Sequence, residues 1–134
     1  MSYEFFVEGK PVPQGSMSGF VSATTGRIVM PQKPAVRAWR GLIAAAAKSA
    51  TRNRKVMMGG PKRVVLTFYL EPPKKPPHER PIGRVGDLDK LVRSCLDALT
   101  GVLFDDDSQV CEIAAYKAYS GGMAAGVHVS VSDL

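Results

Sequence analysis

Cysteine and histidine are scarce in this chain of 134 residues, with two of each, and the shortage removes whole classes of function. Cys95 and Cys111 lie sixteen positions apart with no C-x-x-C pair, and His78 and His128 show no zinc-ligand spacing. A structural zinc site or a disulfide framework is therefore not expected, and both cysteines read as reduced, small core residues. Long apolar runs are missing too. The longest, Leu42 to Ala47, is far too short to cross a bilayer. The opening MSYEFFVEGK carries acids where a signal peptide carries bases, so a cytoplasmic location is expected. With 45% hydrophobic and 22% charged residues, the chain has the composition of a soluble globular domain with one core.

Acids are also in short supply, but only over part of the chain. From Gly9 to Val85 fifteen Lys/Arg face two acids, Glu71 and Glu79, a net charge of +13. From Gly86 to Leu134 three Lys/Arg (Lys90, Arg93 and Lys117) face eight acids, a net −5. One broad basic region beside one compact acidic cluster suits a polyanion held against divalent cations. A solvated basic surface beside an acidic helix start is the plainer alternative.

Periodicity supplies the elements. Tyr3 to Val7 reads as a strand closed by Gly9 and Pro11, and Phe20 to Met30 as a hairpin around Ala-Thr-Thr-Gly. Pro34 sits where helix starts favour proline, and Val36, Trp39, Leu42, Ile43 and Ala46 put one apolar face on a helix over 35–50. Arg63 to Leu70 reads as a strand in which Phe68 or Tyr69 faces the core. Glu71 to Gly86 holds five prolines and cannot join a central sheet. Asp87 to Thr100 keeps the helical period through Leu88, Leu91, Val92, Cys95, Leu96 and Leu99, with Asp87 placed to cap it and Gly101 to end it. Val110 to Tyr119 and Gly126 to Val131 close the chain as strands. The fold class is α+β: a single domain over 1–134, with a mixed sheet and two helices.

The chemistry lies in GDLDKLVRSCLDALTGVLFDDDSQV. Asp87 and Asp89 flank Leu88 where loop becomes helix, so both carboxylates can converge beyond the helix N-terminus. If the strand after Asp105-Asp106-Asp107 pairs alongside, its start is expected to bring a third carboxylate near the first two. Converging carboxylates repel and need either raised pKa values or a bridging cation, and hard oxygen ligands select Mg²⁺ or Mn²⁺. Such a site suits phosphodiester hydrolysis. Three plain readings compete: a helix cap at Asp87, a surface ion-pair row of Asp89, Arg93 and Asp97, and an ordinary turn at Asp105–Asp107.

These motifs resemble the RusA family of Holliday-junction resolvases. The resemblance rests on Asp87-Leu88-Asp89-Lys90-Leu91, then Asp97-Ala98-Leu99-Thr100-Gly101, then Asp106-Asp107-Ser108-Gln109-Val110, with Lys117 beyond. Gly9-Lys10-Pro11-Val12-Pro13-Gln14-Gly15 and Pro31-Gln32-Lys33 are similar to its phage-type members. The resemblance implies an intertwined, Mg²⁺-dependent homodimer, with Mn²⁺ able to substitute, that nicks four-way junctions and other branched DNA symmetrically in recombination and repair. Its location would be the cytoplasm, of a host cell if phage-encoded, with no membrane partner. The family's essential acids fall on Asp87, Asp89 and Asp107, with Asp106 beside them as a metal ligand. The resemblance implies Arg93 and Lys117 as the catalytic cations, with a salt bridge to the acids as the other reading of Lys117. Two departures stand out: Arg93 occupies the family's lysine position and cannot give up a proton, and Lys90 occupies its asparagine. A junction- or duplex-binding protein with impaired catalysis is the alternative that Arg93 motivates, and a basic interaction module with a capped helix is the other.

Candidate phosphate contacts are Lys33, Arg37, Arg40, Arg52, Arg54, Lys55, Lys62 and Arg63, with Lys74, Lys75, Arg80 and Arg84 on the proline-rich loop. Lys117, ten residues beyond Asp107, is expected on the same strand face as that acid. His78 and His128 read as incidental, and Trp39 as core.

Overall fold

The computed structural model describes residues 1–15, 20, 21, 24, 26, 28, 29, 33–82 and 87–134. Strand β1 (Ser2–Glu8) alternates strictly, burying Tyr3 and Val7 while Ser2, Glu4 and Glu8 face solvent. The short strands β2 (Phe20–Val21) and β3 (Ile28–Val29) pair antiparallel as the expected hairpin. Helix α1 (Pro34–Ala50) starts on its proline and buries Val36, Trp39, Ile43 and Ala47, a stripe at helical spacing. The Thr51 hydroxyl donates to the Ala47 carbonyl at 2.9 Å and so occupies one of the orphan acceptors at its end.

Strand β4 (Lys62–Leu70) buries Val64, Leu66 and Phe68, which settles the Phe68/Tyr69 pair in favour of Phe68. Helix α2 (Leu88–Leu99) buries Leu91, Ser94, Cys95, Ala98 and Leu99. Gly101 ends it in the left-handed region at φ 83°, with its amide donating to the Phe104 carbonyl at 2.7 Å. Asp87 holds the N-cap position but makes no capping hydrogen bond. Its carboxylate lies 3.6 Å from the Lys90 ammonium instead.

Strands β5 (Val110–Tyr119) and β6 (Gly126–Asp133) complete a four-stranded sheet of order β1-β6-β4-β5. Strand β6 runs antiparallel to β1 and β4, and β4 runs parallel to β5. A parallel pair needs a crossover, and α2 provides it. All the buried hydrophobic strand residues share one face, and both helices pack there against each other and the sheet. Gly126 is obligatory, because a Cβ there would collide with the Val7 carbonyl oxygen and the Phe6 ring.

Three expectations need correction. Cys111 is exposed, because it lies at the start of the edge strand β5; only Cys95 is core, and burial pushes its thiol up to about 12. Lys62 is 1% exposed and unavailable to DNA, since its ammonium lies 2.5 Å from Asp133 and also donates to the Met57 carbonyl. Counting strand parity from Asp107 to Lys117 fails, because Asp107–Gln109 form a 3₁₀ turn before β5 begins.

Candidate active site

The crossover decides where the acids lie. Strands β1, β4 and β5 point the same way, and α2 returns antiparallel to them, as a right-fitting link between parallel strands must. Asp87 and Asp89 therefore lie at the carboxyl end of β4 and β5, where α2 begins. Asp105, Asp106 and Asp107 lie at the amino end, past the C-terminus of α2. The helix has twelve residues, which makes it about 18 Å long. The expected convergence does not occur within one chain: among the described residues no group of three potential metal ligands assembles.

The amino-end acids are built with care by their neighbours. Leu103 and Phe104 are fully buried and anchor the turn. The Gln109 side chain saturates its amide. Its Oε1 accepts from the Asp105 and Asp106 amides, both at 2.9 Å, and its Nε2 donates to the Met58 and Gly60 carbonyls at 2.7 and 2.8 Å. The acidic turn is thereby pinned to the segment that leads into β4. Ser108 donates its amide to the Asp106 carboxylate at 2.9 Å.

That amide, together with the Asp107 carboxyl and the Ser108 hydroxyl, holds Asp106 below the usual carboxylate range. The hydrogen bond shared with Asp106 pushes Asp107 above it, with desolvation and the charges of Asp106 and Asp97 acting in the same direction. Two adjacent carboxyl groups that shift one another's proton affinity in opposite directions are a pair that a divalent cation can bridge. Their oxygens are hard ligands of the kind that hold Mg²⁺ or Mn²⁺.

The carboxyl-end acids are Asp87 and Asp89. Asp87 is about half-exposed and Asp89 exposed. The first-turn amides of α2 contribute partial positive charge beside them. The segment after β1 is laid along this helix: the Gln14 amide donates to the Lys90 carbonyl at 3.0 Å, and the Ser94 hydroxyl donates to the Val12 carbonyl at 2.9 Å. Gln14 Nε2 also donates to Asp97 at 2.6 Å, so Asp97 is held by an amide rather than by Arg93. Among the described residues no ion pair joins Arg93 to Asp89 or Asp97, and the surface ion-pair row is absent. Arg93 is exposed midway along α2. Lys117 lies beside Phe68 in the sheet, seven residues and about 23 Å beyond the start of β5, on the helix-covered face. It belongs to the Asp87–Asp89 end rather than to Asp107.

Basic side chains flank both ends. Lys33 and Arg37 begin α1 and, with Lys74, Lys75 and Arg80, are exposed at the carboxyl end. Arg52, Arg54 and Lys55 are exposed beyond the C-terminus of α1 at the amino end. There the Arg54 guanidinium stacks 4.4 Å from the Tyr3 ring, and the Lys55 carbonyl accepts from Tyr3 Oη at 3.3 Å. Arg40 is half-buried, Arg63 is exposed and 3.5 Å from Glu112, and Arg84 lies outside the described residues. His128 lies 3.4 Å from Glu4 on the far face of the sheet, away from both acidic groups. Sequence reasoning missed Gln14 and Gln109, the side chains that position the acids. A glutamine locked into a D-D-S-Q turn was the available signal for the second.

The profile of the family described as endodeoxyribonuclease RusA matches residues 8–132. The chain belongs to that family of nucleases, and the matched span covers both acidic groups and runs from the last residue of β1 to all but the last residue of β6. A search of curated proteins found no match.

Proposed function

We propose that this protein is a divalent-metal-dependent, structure-selective endodeoxyribonuclease that resolves four-way junctions and related branched DNA by symmetric nicking, as a homodimer. One observation carries the reading: two groups of acids stand at opposite ends of α2, each flanked by exposed Lys and Arg. A two-fold axis across α2 brings Asp87 and Asp89 of one chain to the Asp106–Asp107 pair of its partner, and makes two equal sites. A four-way junction has approximate two-fold symmetry of its own, so two such sites face opposing strands.

Asp87, Asp89 and Asp107 would hold Mg²⁺ or Mn²⁺, with Asp106 assisting. The cation, when bound, supplies an activated water and stabilises the leaving oxygen. The chain's own residues do the rest. The α2 N-terminus and Lys117 offset charge near the reacting phosphate, and Arg93, unpaired with acid, offers its guanidinium to a neighbouring one. The basic side chains at both ends hold phosphates without reading sequence.

The test is a synthetic four-way junction with purified protein and Mg²⁺, Mn²⁺ or EDTA. The account expects paired nicks with either metal, and binding without nicks in EDTA. Binding with no nicks under any metal supports the second reading, a catalytically impaired junction binder, which the exposed arginine at the lysine position favours. Neither binding nor nicking overturns both.

A further inference from the structure

Strands β1, β4 and β5 end together, β6 begins beside them, and residues 71–82 of the proline-rich loop share a cavity lining with these strand ends. Beneath the loop is a cavity of about 560 Å³, a size within the roughly 300–1,000 Å³ typical of small-molecule sites. Its walls include Tyr119, Pro72, Pro77 and Pro81, and Lys10 and Glu71 bring one ammonium and one carboxylate to it. Tyr119 lies on the same face of β5 as Lys117, two residues earlier, so the cavity opens at the end of the molecule where Asp87 and Asp89 begin α2.

We infer that this cavity receives one unstacked nucleobase from the branch point of the DNA. The inference rests on the nuclease reading above and names a base-binding subsite for it. The flat ring of Tyr119 matches the face of a base, the proline rings offer apolar contact, and aromatic stacking tolerates any sequence. A Lys at one edge suits the attached phosphate, and a Glu at another accepts from an amino group on the base edge. The same loop carries Lys74, Lys75 and Arg80, all exposed, so whatever enters is drawn from a polyanion. An apolar peptide gains nothing from that field. A base at a branch point has lost a stacking neighbour, and its extrusion is correspondingly cheap.

The experiment is a cycle of base deletion against side-chain change, with binding measured in Ca²⁺. Junctions carry one abasic nucleotide at each branch-point position in turn. The protein is wild type, Tyr119→Ala, which removes a wall, or Ala125→Phe, which fills the cavity from its rim. The expected result is one position at which base loss weakens wild-type binding about tenfold and weakens neither variant further. Melting temperatures close to wild type exclude simple unfolding, and the two variants need not fail together. Additive losses, or no sensitive position in a wild-type protein that binds and cuts junctions, overturn the inference while the nuclease reading stands. A change of oligomeric state in Ala125→Phe without loss of base dependence gives the cavity to a second copy and also overturns it. Failure of wild type to bind any junction removes both.

Discussion

Asp87 and Asp107 stand at opposite ends of α2, one before its first turn and the other in the 3₁₀ turn beyond its last, although nineteen intervening residues are all that separate them. Two acids of one motif thus serve two different places, and the first prediction concerns their separate roles. Asp87→Asn is expected to lower junction cleavage on the order of 10²–10³-fold. Binding holds or improves, because one negative charge near phosphate is gone. Gel-shift and cleavage assays on the same junction measure both, and retained cutting would falsify the metal-ligand assignment.

Divalent cation should act on stability as well as on rate. Thermal melting with Mn²⁺ is expected to raise the midpoint of the wild-type protein, by an amount equivalent to about 2.7 kcal/mol at one hundred times the dissociation constant. Asp107→Asn should lose most of that gain, since the pair it shares with Asp106 is broken. An unchanged Mn²⁺ response in that variant contradicts the role given to the pair.

Gln109 holds the acidic turn through both ends of its amide. Gln109→Ala removes four hydrogen bonds at a partly exposed site and is expected to cost about 2 kcal/mol in denaturant unfolding. Cleavage should fall further than stability alone explains, because the carboxylates lose their register.

Arg93 acts by charge in this account. Arg93→Lys is expected to keep cleavage within about threefold, whereas Arg93→Ala loses about tenfold or more. Steady-state rates on one junction decide it. A large gain in Arg93→Lys would mean that a lysine proton matters here.

The pair of buried Lys62 with the partly exposed Asp133 makes the fold sensitive to acid. The Lys62 hydrogen bond first, and then the chain N-terminus, hold Asp133 below the usual carboxylate range. A depressed carboxylate contributes stability that is present above its unfolded pKa and lost as pH falls through the folded one. Stability should therefore decline below about pH 4, and Lys62→Met should flatten that decline. The same variant costs on the order of 1–2 kcal/mol at neutral pH, because a charged hydrogen bond is lost while the partly exposed Asp133 keeps the chain N-terminus. Urea melts at several pH values give both quantities.

Much of this architecture was legible in the sequence, for definite reasons. Leu91, Cys95 and Leu99 recur at helical spacing and Val127, Val129 and Val131 at strand spacing, and every such residue is buried. The acids were legible as chemistry but not as geometry. Periodicity says nothing of strand direction, and a strand beside β4 was expected to begin near Asp87. A helix linking two neighbouring strands makes them parallel, so β5 begins at the far end of α2. Lys62 offered no local sign of burial, being one of six cations in a run, and its partner Asp133 is 71 residues away. The cavity under the proline-rich loop was invisible for the same reason. Its walls come from the ends of different strands.

Mixing two inactive variants tests the central claim most directly. Asp87→Asn and Asp107→Asn chains, each inactive alone, are refolded or co-expressed together and assayed on a four-way junction. If each site takes Asp87 from one chain and Asp107 from its partner, every mixed dimer keeps one intact site, and cutting returns to about a quarter of the wild-type level, with single rather than paired nicks. No recovery in a verified mixed dimer would contradict the shared site and place all the acids of each site in one chain.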